Sequence, residues 1–109
     1  MTRAAFHLAG DRIESVEISG HSGYAPAGED IVCAGVSSAV MLTHTLLSDI
    51  MGLEFTTRVQ AEQARIFFQL PAKLELKQEQ QAQDAMTALM VHLTGLQEQY
   101  PDYLSVVEV

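Results

Sequence analysis

The chain has 109 residues, 48% of them hydrophobic, and carries 14 acidic against 6 basic residues for a formal charge of −8. That is enough apolar material for one small domain over residues 1–109 with a real core, and it argues against disorder. The acidic balance argues against direct nucleic-acid binding, which normally needs clustered Lys and Arg. One cysteine excludes an intramolecular disulfide and a cysteine-based metal site, and no cofactor motif is present.

In chain order, Ala4 to Leu8 and Ile13 to Ser19 read as two strands joined at Gly10-Asp11, a dipeptide suited to a tight hairpin turn. The second strand delivers Gly20-His21-Ser22-Gly23, the start of a glycine-rich loop that runs to Gly28. Asp30 is placed to cap a helix from about Ile31 to Met51, because its carboxylate can accept from the N–H three residues on, that of Cys33. The stretch Val32 to Met51 is apolar but broken by Ser37, Ser38, Thr43, His44, Thr45, Ser48 and Asp49, so it reads as a buried core helix. No apolar run is expected to reach membrane-spanning length, and no membrane contact is expected.

Leu53 to Val59 alternates apolar and polar residues, and Ile66, Phe68 and Leu70 repeat at period two after an Ala61-Glu62-Gln63 turn, which predicts a second hairpin. Gln78 to Gln99 places Ala82, Ala85, Met86, Leu89, Leu93 and Leu96 on one helical stripe. Tyr103 to Val109 closes as a strand. The order ββαββαβ predicts an α+β domain, a mixed sheet carrying two helices. All six basic residues precede Gln78, so Glu79, Asp84, Glu98, Asp102 and Glu108 are expected to form an acidic surface without basic partners.

The chemistry concentrates around Cys33. A thiol in the first turn of a helix meets the positive end of the dipole and free backbone N–H groups, both of which favour a nucleophilic thiolate. His21 precedes it by 12 residues, within reach if the loop folds back. Asp30 could orient His21 instead of capping the helix; it cannot fully do both. Ser37 is one turn beyond Cys33 on the same face and could line a substrate groove or stabilise the thiolate. The oxyanion of an attacked carbonyl would be met by the amides at the helix start, that of Cys33 included, with help from the loop. His44 is 11 positions past Cys33, about 16 Å along a continuous helix, too far to serve as its base. His7, in the first strand, and His92, in the last helix, read as exposed or partly buried polar residues, not as catalytic ones.

Gly20-His21-Ser22 followed by Gly28-Glu29-Asp30-Ile31-Val32-Cys33-Ala34-Gly35-Val36-Ser37 resembles the signature of the ribosomal-processing cysteine protease family, Gly-His-Ala, a short spacer, then Gly-x-Asp-Ile-Val-Cys-Ala-Ala-Val-Ser. The chain departs from it at Ser22 and Gly35, neither of which is expected to touch the nucleophile or base. The resemblance implies a cysteine endopeptidase that removes a short N-terminal extension from a large-subunit ribosomal protein, with Cys33 the nucleophile and His21 the acid/base. Asp30 and Ser37 would support them, and Gly20, Ser22, Gly23 and Gly28 would belong to the loop over the substrate. It also supports a homodimer, which unpaired sheet edges independently suggest. A free thiol and the absence of a signal pattern at Met1-Thr2-Arg3 favour the cytoplasm. A basic ribosomal-protein segment would suit the acidic surface. The rival is a non-catalytic assembly module using that surface with Cys33 structural; a redox sensor would need a resolving cysteine from elsewhere, and a phosphatase or acyl-transferase would want an Arg near Cys33.

Overall fold

The computed structural model describes residues 1–26 and 29–109. Strands β1 (Thr2–Ala9) and β2 (Arg12–Ser19) pair antiparallel with Ala9 opposite Arg12, so Gly10-Asp11 is the two-residue turn, with Gly10 at a φ of 61°. The pairing register shifts between His7 and Leu8, leaving Glu14 without a partner in β1. Backbone groups freed there are satisfied from elsewhere. Gln83 accepts from the Ile13 N–H at 2.8 Å and donates to the Ile13 carbonyl at 2.9 Å, and the Glu14 carbonyl accepts from the Leu70 N–H at 2.9 Å.

Helix α1 (Ile31–Thr45) continues into a wide π turn over Leu46–Ile50, closed by the Met51 N–H on the Leu46 carbonyl at 2.9 Å, so the helical stretch reaches Met51 as predicted. Its burial is not as predicted. Val32, Val36, Val40, Thr43 and Leu47 are buried, while Ile31, Met41, Leu42 and Ile50 are 55, 53, 71 and 74% exposed. The expectation about length fails as well, since the 20 residues Ile31–Ile50 are long and apolar enough, by length and composition, to cross a membrane. The interrupting residues are mostly Ser and Thr, whose hydroxyls can bond back to the helix, as Thr43 does to the Ala39 carbonyl at 2.9 Å.

Strand β3 (Thr56–Gln60) starts later than the alternation predicts: Leu53 and Phe55 pack inward on the approach, whereas Val59 is exposed on the edge strand itself. Strand β4 (Arg65–Gln69) pairs with β3 and β2, and helix α2 (Leu76–Gln99) buries Ala82, Ala85, Met86, Leu89 and Leu93 of the predicted stripe, with Leu96 half-buried at its end. Strand β5 (Leu104–Glu108) lies parallel to β1, making the order β3-β4-β2-β1-β5 with every other pair antiparallel. This is the expected ββαββαβ mixed sheet with two helices.

The core joins Phe6, Val16 and Phe68 of the sheet to Val36, Val40, Leu47, Met86 and Leu93 of the helices. Full burial of each such side chain contributes roughly 1.5–3 kcal/mol. One acidic residue expected to lack a basic partner has one. Glu79 receives Arg12 at 2.7 and 3.1 Å, and the same guanidinium donates to the Pro71 carbonyl at 2.7 Å, which ties the first hairpin to the start of α2. The partners are 67 positions apart, and only the folded sheet brings them together.

Candidate active site

The site is built where β2 ends. Gly20 has a φ of 82°, and a Cβ on it would lie 2.7 Å from the Met1 carbonyl oxygen, so both conformation and space demand glycine. Its N–H donates to the Ala64 carbonyl at 3.0 Å and its carbonyl accepts from the Thr2 hydroxyl at 3.3 Å. The strand exit is thereby fixed, and His21, exposed, follows at once. Among the described residues His21 makes no side-chain hydrogen bond to Cys33 or Asp30.

Asp30 is the N-cap of α1. Its Oδ1 accepts from the N–H groups of Val32 and Cys33, both at 3.0 Å, and its Oδ2 accepts from the Ser22 hydroxyl. Of the two roles open to Asp30, capping is the one it fills. The Ser22 hydroxyl is the largest cause holding the Asp30 carboxyl down to about 2; partial desolvation opposes it, and the N–H groups of Cys33 and Ala25 add to it.

Cys33 is half-buried in the first turn of α1. Its Sγ accepts from the Ser22 N–H at 3.2 Å and lies 3.9 Å from the Thr2 hydroxyl. Two expectations are corrected here. The Cys33 amide is taken by its own cap and is not free to meet an oxyanion; the loop amide of Ser22 is the one directed at the sulfur. Ser22, expected to touch neither partner, contacts the thiol through its backbone and Asp30 through its side chain. It is 3% exposed, and its Oγ also accepts from the Tyr24 N–H at 3.2 Å. A serine between Gly20 and Gly23 is the signal for such a turn, because its hydroxyl can satisfy the amide two residues on.

Two cavities meet at the thiol. The larger, about 750 Å³, is bordered by His21, Glu29, Asp30, Ile31, Cys33 and Ser37. The other, about 300 Å³, runs between α1 and the β3–β4 hairpin past Ile18, Val36, Val40 and Ile66. His21, Cys33 and Ser37 line both. Gly23 borders the larger cavity and Gly20 the smaller, whereas Gly28 falls outside the described residues. His44 is elsewhere: its Nε2 meets the Thr57 hydroxyl at 3.0 Å and its ring packs edge-on against Phe55 and Phe68. His7 and His92 are exposed on β1 and α2.

A half-buried thiol in the first turn of an apolar helix, with a histidine on the same cavity walls, is the equipment of a cysteine hydrolase. The chain belongs to the cysteine protease Prp family, whose model matches residues 1–105. It is 29% identical over 107 residues, 97% of this chain and 96% of the other, to the ribosomal processing cysteine protease Prp of Bacillus subtilis. Its fold superposes on S. aureus Prp in complex with a covalently linked product peptide, at a TM-score of 0.88 and 17% identity over 100% of both chains. A Streptococcus mutans protein aligns at a TM-score of 0.86 and 25% identity, over 100% of this chain and 94% of its own.

Proposed function

We propose that this cysteine protease removes a short N-terminal extension from a large-subunit ribosomal protein, with Cys33 as nucleophile and His21 as acid/base. The observation that carries the residue roles is the sharing of Cys33, His21 and Ser37 by both cavities, so that a peptide passing from one to the other crosses the thiol. The substrate class is supported by the B. subtilis relative, a ribosomal processing protease, and by S. aureus Prp, which has been captured with substrate and product peptides.

In the reaction His21 takes the Cys33 proton, the sulfur attacks the scissile carbonyl, and the imidazolium returns the proton to the leaving amine. Water, giving its proton to His21, then splits the thioester and restores the thiol. His21 and Cys33 share walls without bonding in this structure, so proton transfer requires the exposed imidazole to turn toward the sulfur while Gly20 and Ser22 keep their contacts. Asp30 keeps the helix start in place meanwhile, and Ser37 lines the groove on both sides of the thiol. Glu29 and Asp30 on the larger cavity suit a basic N-terminal segment, and the overall charge of −8 raises its encounter rate at low salt.

A homodimer in the cytoplasm completes the proposal, without direct contact to nucleic acid or membrane. The exposed apolar side chains of Ile31, Met41, Leu42 and Ile50 give a second copy something to cover, which adds to the argument from the sheet edges. The test is incubation with the same organism's full-length ribosomal protein, followed by intact mass. A single N-terminal cut by the parent is expected, slowed by at least about 10³-fold in folded Cys33→Ala and His21→Ala variants. An uncut partner, or a cut that persists in Cys33→Ala, sinks the assignment.

A further inference from the structure

We propose that the ring of Tyr24, seated between Tyr100 and Tyr103, is the anchor that holds the Cys33 thiol in place, which makes Tyr24 a positioning residue; the inference rests on Cys33 being the nucleophile. Tyr24 meets Tyr100 edge-on, with centroids 5.6 Å apart and planes at 89°, and Tyr103 at 5.2 Å and 78°. Both geometries are the attractive edge-to-face kind.

The two sides of this contact differ in rigidity. Tyr100 and Tyr103 belong to the tight turn between α2 and β5, where the Tyr100 N–H reaches the Leu96 carbonyl at 3.0 Å, the Tyr103 N–H the Tyr100 carbonyl at 3.0 Å and the Leu104 N–H the same carbonyl at 3.2 Å. Tyr24 belongs to a segment outside any strand or helix, following Gly23 at a φ of 75°. A segment of that kind takes its position from what its side chains dock on: Ser22 on Asp30, and Tyr24, though 42% exposed, on the tyrosine pair.

Two short routes lead from the tyrosine pair to the sulfur. Tyr24 donates its N–H to the Ser22 hydroxyl at 3.2 Å, and Ser22 in turn donates its N–H to Cys33 Sγ at 3.2 Å and its hydroxyl to Asp30. On the other side, the Tyr103 carbonyl accepts from the Thr2 N–H at 3.0 Å, and the Thr2 hydroxyl lies 3.9 Å from the same sulfur. Tyr24 itself borders neither cavity that meets at Cys33. It therefore acts through Ser22 and not on the substrate, and its loss shows in turnover instead of affinity.

The experiment compares Tyr24→Ala and Tyr24→Phe with the parent, each verified as folded by circular dichroism, using a peptide that spans the ribosomal protein's N-terminal segment and, separately, the rate of Cys33 alkylation by iodoacetamide. Tyr24→Ala is expected to lower kcat roughly tenfold with KM within about twofold, the scale of a displaced reacting group. Alkylation slows with it, and Tyr24→Phe restores both, since the edge-to-face contact needs the ring and not the hydroxyl. Parental kinetics in Tyr24→Ala, a rise in KM alone, or a Phe variant as impaired as the Ala variant would overturn the anchor. Alkylation reads Cys33 whether or not the peptide is cut. Cleavage that survives Cys33→Ala would remove the protease roles, while the alkylation rates would still decide the anchor.

Discussion

The two long helices begin in opposite ways. At α2 the cap position is Glu75, which makes no side-chain hydrogen bond to the helix, and the first turn is secured from outside by the Arg12–Glu79 pair. At α1 the cap is Asp30, which bonds the helix N–H groups itself and receives a serine hydroxyl in place of a cation. A salt bridge fastens α2 to a hairpin and leaves nothing reactive beside it. The hydroxyl at α1 secures the carboxylate without adding a second charge, so the neighbouring thiol, histidine and cavity stay open to a substrate. One end is a fastening and the other the proposed worksite.

The largest effect should come from the worksite's backbone. In Gly20→Ala the new methyl would meet the Met1 carbonyl at 2.7 Å while the backbone is held at a φ of 82°. Strain and displacement together should cost about 2–3 kcal/mol, a fall in Tm on the order of 10 °C, with most peptidase activity lost because His21 follows directly. A variant with parental Tm and activity would show that the strand exit is looser than its contacts suggest.

Arg12→Ala tests the fastening. The pair is partly shielded, at 20 and 31% side-chain exposure, so losing its two bonds and the one to Pro71 should destabilise by about 1–2 kcal/mol in thermal unfolding. Peptidase kcat/KM should stay at the parental value. If it fell in step with stability, the two helix ends would be coupled and the division drawn above would fail.

What could be read in advance divides along similar lines. Gly10-Asp11, the period-two run to Phe68 and Leu70 and the stripe from Ala82 to Leu93 are local patterns, and each became the element it predicts. The place of Cys33 in the first turn of a helix was legible because Asp30 is a strong cap signal, and the family pattern around it pointed to His21, which lines the same cavities. The parallel pairing of β1 with β5, the Arg12–Glu79 pair and the exposed outer face of α1 depend on contacts far apart in sequence, which no local period encodes. Ser22 was misjudged for a related reason. Its position in the chain says only that it lies in a loop, while its work is set by how that loop folds back on Asp30 and Cys33.

Gly35→Ala asks whether the active helix can be strengthened without disturbing the thiol. A Cβ at Gly35 would sit 3.6 Å from Leu96 Cδ2, an ordinary packing distance, on the side facing α2. Alanine should therefore stabilise by about 0.5–1 kcal/mol, raising Tm by a few degrees with kcat unchanged. A lower Tm would mean that the helices are packed too tightly for even a methyl group.

The smallest signal is a pH slope, and it bears most directly on the contrast between the two helix starts. The Asp30 carboxyl is held down to about 2 from its ordinary 3.8, so the folded state favours the ionised form. Its contribution is complete above the unfolded value and fades as pH falls from about 4 toward 2, because protonation weakens its acceptance from the Ser22 hydroxyl and the helix amides. Asp30→Asn keeps a competent cap oxygen but cannot titrate. Near neutral pH the variant should melt slightly below the parent, and the gap should shrink as the solution is acidified through that window. Ser22→Ala should shrink the parent's acid slope in the same window, since the hydroxyl is the largest cause of the depressed value. A gap that stays constant between pH 4 and pH 2 would show that Asp30 acts at α1 as a neutral cap does, and that the charge there contributes nothing to folding.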